Sequence, residues 1–217
     1  MLNFLAEHFP PQFNYLVRQQ IGGEIDSFFK AALYYRTESV HKKELWGKMS
    51  QRIPHWGKQL GWVPDHLPLL FLSETVELEI AEAFCSQYGR LNANEGDLSI
   101  ARSLLTALKL SELSDRNPYF LSEGETKLVW LLSQWAKQPQ YLIASNLPTS
   151  LSAHRLKTVI EFLTSSEKIS TTIGNSNPPI LILGCLENQN QWFDGLLLNP
   201  KWKLVAKWPE LSIGNKS

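Results

Sequence analysis

An α/β fold built on a parallel sheet is predicted by two observations. Four short apolar runs, at 13–17 (FNYLV), 60–63 (LGWV), 141–144 (YLIA) and 180–183 (ILIL), carry the aromatic and branched side chains of buried strands. Segments with apolar residues at helical spacing lie between them. Buried runs that alternate with helices imply a sheet covered on both faces.

Taken in order, residues 1–11 are short and close at Pro10-Pro11, where a helix must stop. After the first run, Gly22-Gly23 marks a turn and 27–35 (SFFKAALYY) opens a helix. Strand, glycine turn and helix is the order in which a phosphate-binding loop is built. Residues 41–58 are basic and Trp-bearing, broken at Pro54. Residues 76–88 read as a helix capped by Ser73 or Thr75, with Glu77 and Glu79 suiting the positive end of its dipole. Next come a polar loop at 92–97, a helix at 98–110 and a linker at 111–120. Residues 122–137 form a helix in which Ser122 is the cap and Glu125 completes a capping box. A loop with Pro148, a helix near 153–165 and a Ser/Thr/Asn/Gly-rich linker at 165–177 follow the third run. Residues 196–198 and 203–206 read as a last hairpin.

Composition narrows the function classes. With 217 residues the chain fits one domain, 1–217, with a helical subdomain about 73–120. The 21 basic and 21 acidic side chains cancel, so the excess positive charge that drives nucleic-acid binding is missing. Cys85 and Cys185 stand far apart without metal-ligand spacing and read as inert core thiols of a reducing, cytoplasmic compartment. No apolar run approaches the roughly 20 residues of a membrane span, and the N-terminus lacks the basic region of a secretory signal. Eight Trp is a high count, read as core packing with an interface belt as the alternative. His154, alone at a helix start, reads as surface.

Three motifs then appear in order. The segment GWVPDHLPLLFLSETVELEI begins at Gly61, LSELSDRNPYFL ends at Leu121, and LSEGETKLVWLLSQWAKQPQYLIASNLPTS begins there. Together they resemble the Q-loop, the signature approach, and the signature helix with its following strand of the ATP-binding cassette (ABC) ATPases. The likeness is greatest to the ATPase subunits of energy-coupling-factor vitamin and cobalt transporters. It is strong from about 61 to 183 and weak over the first 60 residues. It implies a P-loop NTPase-like sheet flanked by helices, with a helical subdomain and a reduced N-terminal β-subdomain.

The same resemblance marks where the chain departs from the family. Its Q-loop glutamine falls on Asp65, and its Walker B Asp-Glu pair on Ser145-Asn146, which offer no carboxylate for magnesium or water. The switch histidine falls on Cys185 and the D-loop aspartate on Ser152. The phosphate loop lands on Gly22, Gly23 and Ser27, with Glu24 or Ile25 where its lysine belongs. The signature keeps Ser122 and Gly124, followed by Glu125, but Glu123 puts negative charge where a partner's phosphate would lie. Ser122 and Glu125 are equally explained as a plain helix cap.

Three readings follow from the resemblance. The chain is a pseudo-ATPase, a regulatory or structural partner of an intact ABC ATPase or a membrane permease, with no catalytic residue, cofactor or metal of its own. Alternatively it is the ATP-binding subunit of a heteromeric transporter, lending its signature to a composite site where ATP and magnesium come with the partner. The third reading is a nucleotide-independent scaffold.

Overall fold

The structure is a computed structural model and describes residues 2–19, 59–65, 71–174, 178–186, 194–198 and 200–205. Helix α1 (Leu2–His8) stops ahead of Pro10-Pro11, and strand β1 (Asn14–Gln19) follows. Strand β2 (Leu60–Val63) is followed by helices α2 (Val76–Ser86) and α3 (Glu95–Ala107), two 3-10 turns (Ser111–Leu113 and Pro118–Phe120) and helix α4 (Glu123–Ala136). Strand β3 (Tyr141–Ala144), helices α5 (Ala153–Thr164) and α6 (Ser166–Thr172), and strand β4 (Ile180–Leu186) come next. A short helix α7 (Asp194–Leu197) and strand β5 (Trp202–Val205) complete the described residues.

Among the described residues the sheet has five strands in the order β2-β3-β4-β1-β5, and each of their pairings is parallel. The predicted α/β class is therefore correct. The first step, β1 to β2, runs along the sheet in the opposite direction to all later ones.

Alternation along each strand divides the core. Leu16, Val63, Leu142, Ala144, Leu181 and Leu183 join the large core under α2 to α5. Tyr15, Val17, Leu60, Tyr141, Ile143 and Ile182 face the other way, with Leu5 of α1 and Phe9 just after it. Both faces bury apolar side chains, which is why the strands read as continuous apolar runs.

The structure corrects three details of the sequence reading. Residues 196–198 and 203–206 are no hairpin: Leu196 and Leu197 lie in α7, and β5 pairs in parallel with β1, Asn14↔Trp202 to Val17↔Val205. The 165–177 linker contains helix α6, held by Ile169 and Ile173 against the core although its residues are poor helix formers. The polar loop at 92–97 overran, because Glu95 to Asp97 already form the first turn of α3. Of the two caps read for α2, Thr75 is the one used, and Ser73 Oγ donates to Glu82. The helix read at 27–35 lies outside the described residues.

Helix α3 begins with its own capping box between Asn94 and Asp97. Arg90 donates to both Asp97 oxygens, at 2.7 and 2.6 Å, and this pairing holds the Asp97 carboxyl below the ordinary carboxylate range. A carboxyl depressed in the folded state contributes stability that is complete above its unfolded value, about 3.9, and is lost as pH falls through the lower folded value. Asp97→Asn is therefore expected to lower the melting temperature at neutral pH, with the gap to wild type closing below about pH 4. A gap independent of pH in melts across this range would refute the assignment.

Candidate functional site

In a parallel sheet, ligand sites form at the carboxyl ends of the strands. Here β2 and β3 end side by side, with Val63 paired to Ala144 and Ser145 N–H donating to Val63 O at 2.8 Å. Asp65 lies two residues beyond β2, and Ser145-Asn146 directly follows β3. Helix α4 lies against this corner. Trp130 Nε1 donates to Trp62 O, and Gln134 Oε1 accepts from Trp62 N–H. Gly61 permits the approach, since a Cβ there would stand 2.7 Å from Leu142 Cδ1 and 3.3 Å from Gln134 Cβ.

The centre of the corner is a lysine. Lys127 is 1% exposed, and its Nζ donates to Asp65 Oδ1 at 3.2 Å, Asn146 O at 3.2 Å and Thr149 O at 3.5 Å. Asn146 Nδ2 donates to the other Asp65 oxygen at 3.1 Å. Asn146 adopts φ 46°, a left-handed conformation that asparagine tolerates, and this sets its carbonyl toward the lysine. Three segments, the end of β2, the turn after β3 and the second turn of α4, are thereby tied through one ammonium.

At the start of α4 the capping box is complete. Ser122 Oγ accepts from Glu125 N–H at 3.4 Å and donates to Glu125 Oε2 at 2.7 Å, while Ser122 N–H donates to the same oxygen at 3.0 Å. These bonds to Ser122 hold the Glu125 carboxyl below its ordinary value. Ser122 and Glu123 are exposed; Gly124 is half-buried, and a Cβ there would stand 2.5 Å from Ser150 O.

Solved structures with which the chain superposes decide its fold. The bacterial ABC transporter cassette MJ0796, solved as a dimer, matches with TM-score 0.55 and 14% identity over 81% of this chain and 75% of its own. An ABC transporter described as of metal-chelate type, in an inward-facing conformation, matches with TM-score 0.52 and 15% identity over 84% of this chain and 65% of its own. The fold is that of an ATP-binding cassette domain. In sequence, a protein of Bifidobacterium longum (strain NCC 2705) named for an ABC transporter ATP-binding role is 28% identical over 155 residues, 70% of this chain. The chain spans 18% of that protein's length. No family model matches the chain. The expected likeness to the cassette family thus holds in sequence and in fold.

The cassette positions named by the resemblance fall into four groups. Asp65 and Asn146 come together in the Lys127 cluster, with Ser145 fully buried beside them. Ser122, Gly124 and Glu125 stand at the start of the same helix. Gly22, Gly23 and Ser27 lie outside the described residues. Cys185 is buried within β4, its Sγ 3.8 Å from Val17 O. The sequence reading missed Lys127. It falls on the inward stripe of α4, with Gly124, Leu128, Leu131 and Trp135, where a buried cation needs an anionic partner.

Magnesium in a nucleotide site is held by carboxylate and phosphate oxygens in near-octahedral geometry. The β2–β3 corner does not fit it. The carboxylate it holds among the described residues, Asp65, has both oxygens engaged by Lys127 and Asn146, and the ammonium would repel a divalent ion. Among the described residues no group of three or more His, Cys, Asp or Glu is arranged to hold a metal, and no helix is long and apolar enough to cross a membrane.

Proposed function

We propose that this chain is a non-hydrolysing cassette-type domain that acts through a protein partner, an intact ABC ATPase or a transporter membrane subunit. The observation that carries the reading is the Asp65–Lys127–Asn146 cluster, at the strand ends where the family's chemistry needs free carboxylates. Hydrolysis needs a group to place the attacking water and a metal to neutralise the phosphates. Asp65, Ser145 and Asn146 supply neither. The dimeric state of the bacterial cassette makes pairing with a second cassette the natural mode of action. Exposed Leu72 and Phe120, beside Tyr119, whose hydroxyl donates to Phe71 O, offer apolar surface of the kind that protein contacts cover.

The composite-site reading draws on the exposure of Ser122 and Glu123, which leaves the start of α4 accessible to a partner. Against it stands the capping box, in which the Ser122 hydroxyl already donates to Glu125. In either reading the chain works in the cytoplasm, beside a membrane when its partner is there. The purified chain is expected to release no phosphate from Mg-ATP above a protein-free control, and Mg-ATP is expected to leave its melting temperature unchanged. Micromolar ATP affinity by calorimetry, with turnover abolished by Ser122→Ala, would overturn the reading. Co-purification with a cassette ATPase or permease from the native cell is the expected positive result.

A further inference from the structure

The surroundings of Lys127 have the chemistry of a hard-cation site. Its ammonium has three N–H donors, and all three are directed at oxygens: one carboxylate oxygen of Asp65 and the main-chain carbonyls of Asn146 and Thr149. Carboxylate plus carbonyl oxygen is the donor set that calcium and magnesium take in proteins. The same two turn residues carry further buried oxygens, Asn146 Oδ1 and Thr149 Oγ1, with no hydrogen-bond partner among the described residues. We propose that Lys127 is a resident cation: its ammonium fills an oxygen site built from Asp65 and the 146–149 turn, so that the β2–β3–α4 junction closes without a metal ion.

The proposal rests on the reading of the chain as a non-hydrolysing cassette and deepens it. Where a bound ion would make the junction's closure depend on a ligand, a covalently attached ammonium makes it permanent. A permanent closure suits a domain that offers a fixed surface to a partner.

The test is thermal melting of the full chain in EDTA, in Mg2+ and in Ca2+, without nucleotide. Wild type is expected to melt at one temperature in all three. Lys127→Ala is expected to melt about 10 °C lower in EDTA, because the buried Asp65 carboxylate loses the ammonium that offsets its charge. It should regain part of that loss with Ca2+ or Mg2+, and adding Asp65→Asn should abolish the regain. Three results overturn the proposal: wild type responding to the ions as strongly as the variant, Lys127→Ala melting with wild type, or the variant ignoring both ions. Should Lys127→Ala not fold, Lys127→Met is compared with Lys127→Met/Asp65→Asn. The uncharged pair is expected to melt above the single variant, and the opposite order overturns the proposal. With no nucleotide in these melts, their failure leaves the hydrolysis result standing, and ATP turnover by wild type leaves the melts standing.

Discussion

Trp135→Ala is expected to destabilise the protein by about 3–5 kcal/mol, the loss typical of an aromatic side chain removed from a packed core. Trp135 is completely buried on α4, and its ring meets Phe162 of α5 edge-on with centroids 4.8 Å apart. It therefore joins the helices on either side of β3, and truncation leaves a cavity that a close-packed interior only partly closes. In a chain of this size the change lowers the melting temperature by roughly 10 °C. Trp135→Phe separates packing from polarity. Trp135 Nε1 is buried with no hydrogen-bond partner among the described residues, and an unsatisfied donor of this kind costs about 1–3 kcal/mol. Phenylalanine keeps a ring against Phe162 and removes that donor, so it should lose less than half of what alanine loses. Urea unfolding followed by circular dichroism measures both; an alanine variant within 1 kcal/mol (roughly) of wild type would mean that α4 and α5 are not joined through this ring.

Trp135 also bears on how the high Trp count is read. Trp135 and Trp202 are buried and Trp62 and Trp130 half-buried, so the described tryptophans serve packing and α4–β2 docking. Trp46, Trp56, Trp192 and Trp208 lie outside the described residues, and the interface-belt alternative rests on them alone.

What was legible in the sequence was whatever depends on local pattern. Strands β2 and β3 fall where their apolar runs predicted, at Leu60–Val63 and Tyr141–Ala144, because burial on both faces leaves an unbroken run with sharp polar ends. The Ser122–Glu125 capping box was legible because the motif is written in four consecutive residues. Its counterpart, Asn94 with Asp97, went unread because the motif is sought as Ser or Thr followed by Glu or Gln. Helix α6 was illegible for a different reason: its stability comes from Ile169 and Ile173 packed against the core, not from propensity. The candidate site was half legible. Ser145 and Asn146 announced a loss of carboxylates and Asp65 the loss of a glutamine, but nothing in linear order places Lys127 among them. Residues 65, 127 and 146 meet only once α4 lies across the strand ends.

Gly124→Ala is expected to destabilise the protein, by about 1–3 kcal/mol, although alanine is the better helix former by nearly 1 kcal/mol. A Cβ at Gly124 would stand 2.5 Å from the Ser150 carbonyl oxygen, closer than real contacts come, and a main-chain atom cannot swing aside. Ser150 itself has φ 71°, so its peptide has little freedom to retreat. Gly96 supplies the control. It occupies the same place in α3, second after the cap, between a glutamate and the acidic residue of a capping box: Asn94-Glu95-Gly96-Asp97 against Ser122-Glu123-Gly124-Glu125. A Cβ at Gly96 meets only the Asn94 side chain, at 3.1 Å. Gly96→Ala should therefore stay within about 0.5 kcal/mol of wild type, since local sequence and helix position match and only the tertiary contact differs. The comparison also separates two roles for the glycine that the resemblance places in a signature. If it is kept for a partner's phosphate, Gly124→Ala should weaken that partner's ATPase and leave this chain's unfolding curve alone. The close approach to Ser150 predicts the opposite order, with the chain's own stability lost first and any effect on a partner following from it. Equal stability of the two alanine variants in urea would show that Ser150 yields, and would return Gly124 to the partner.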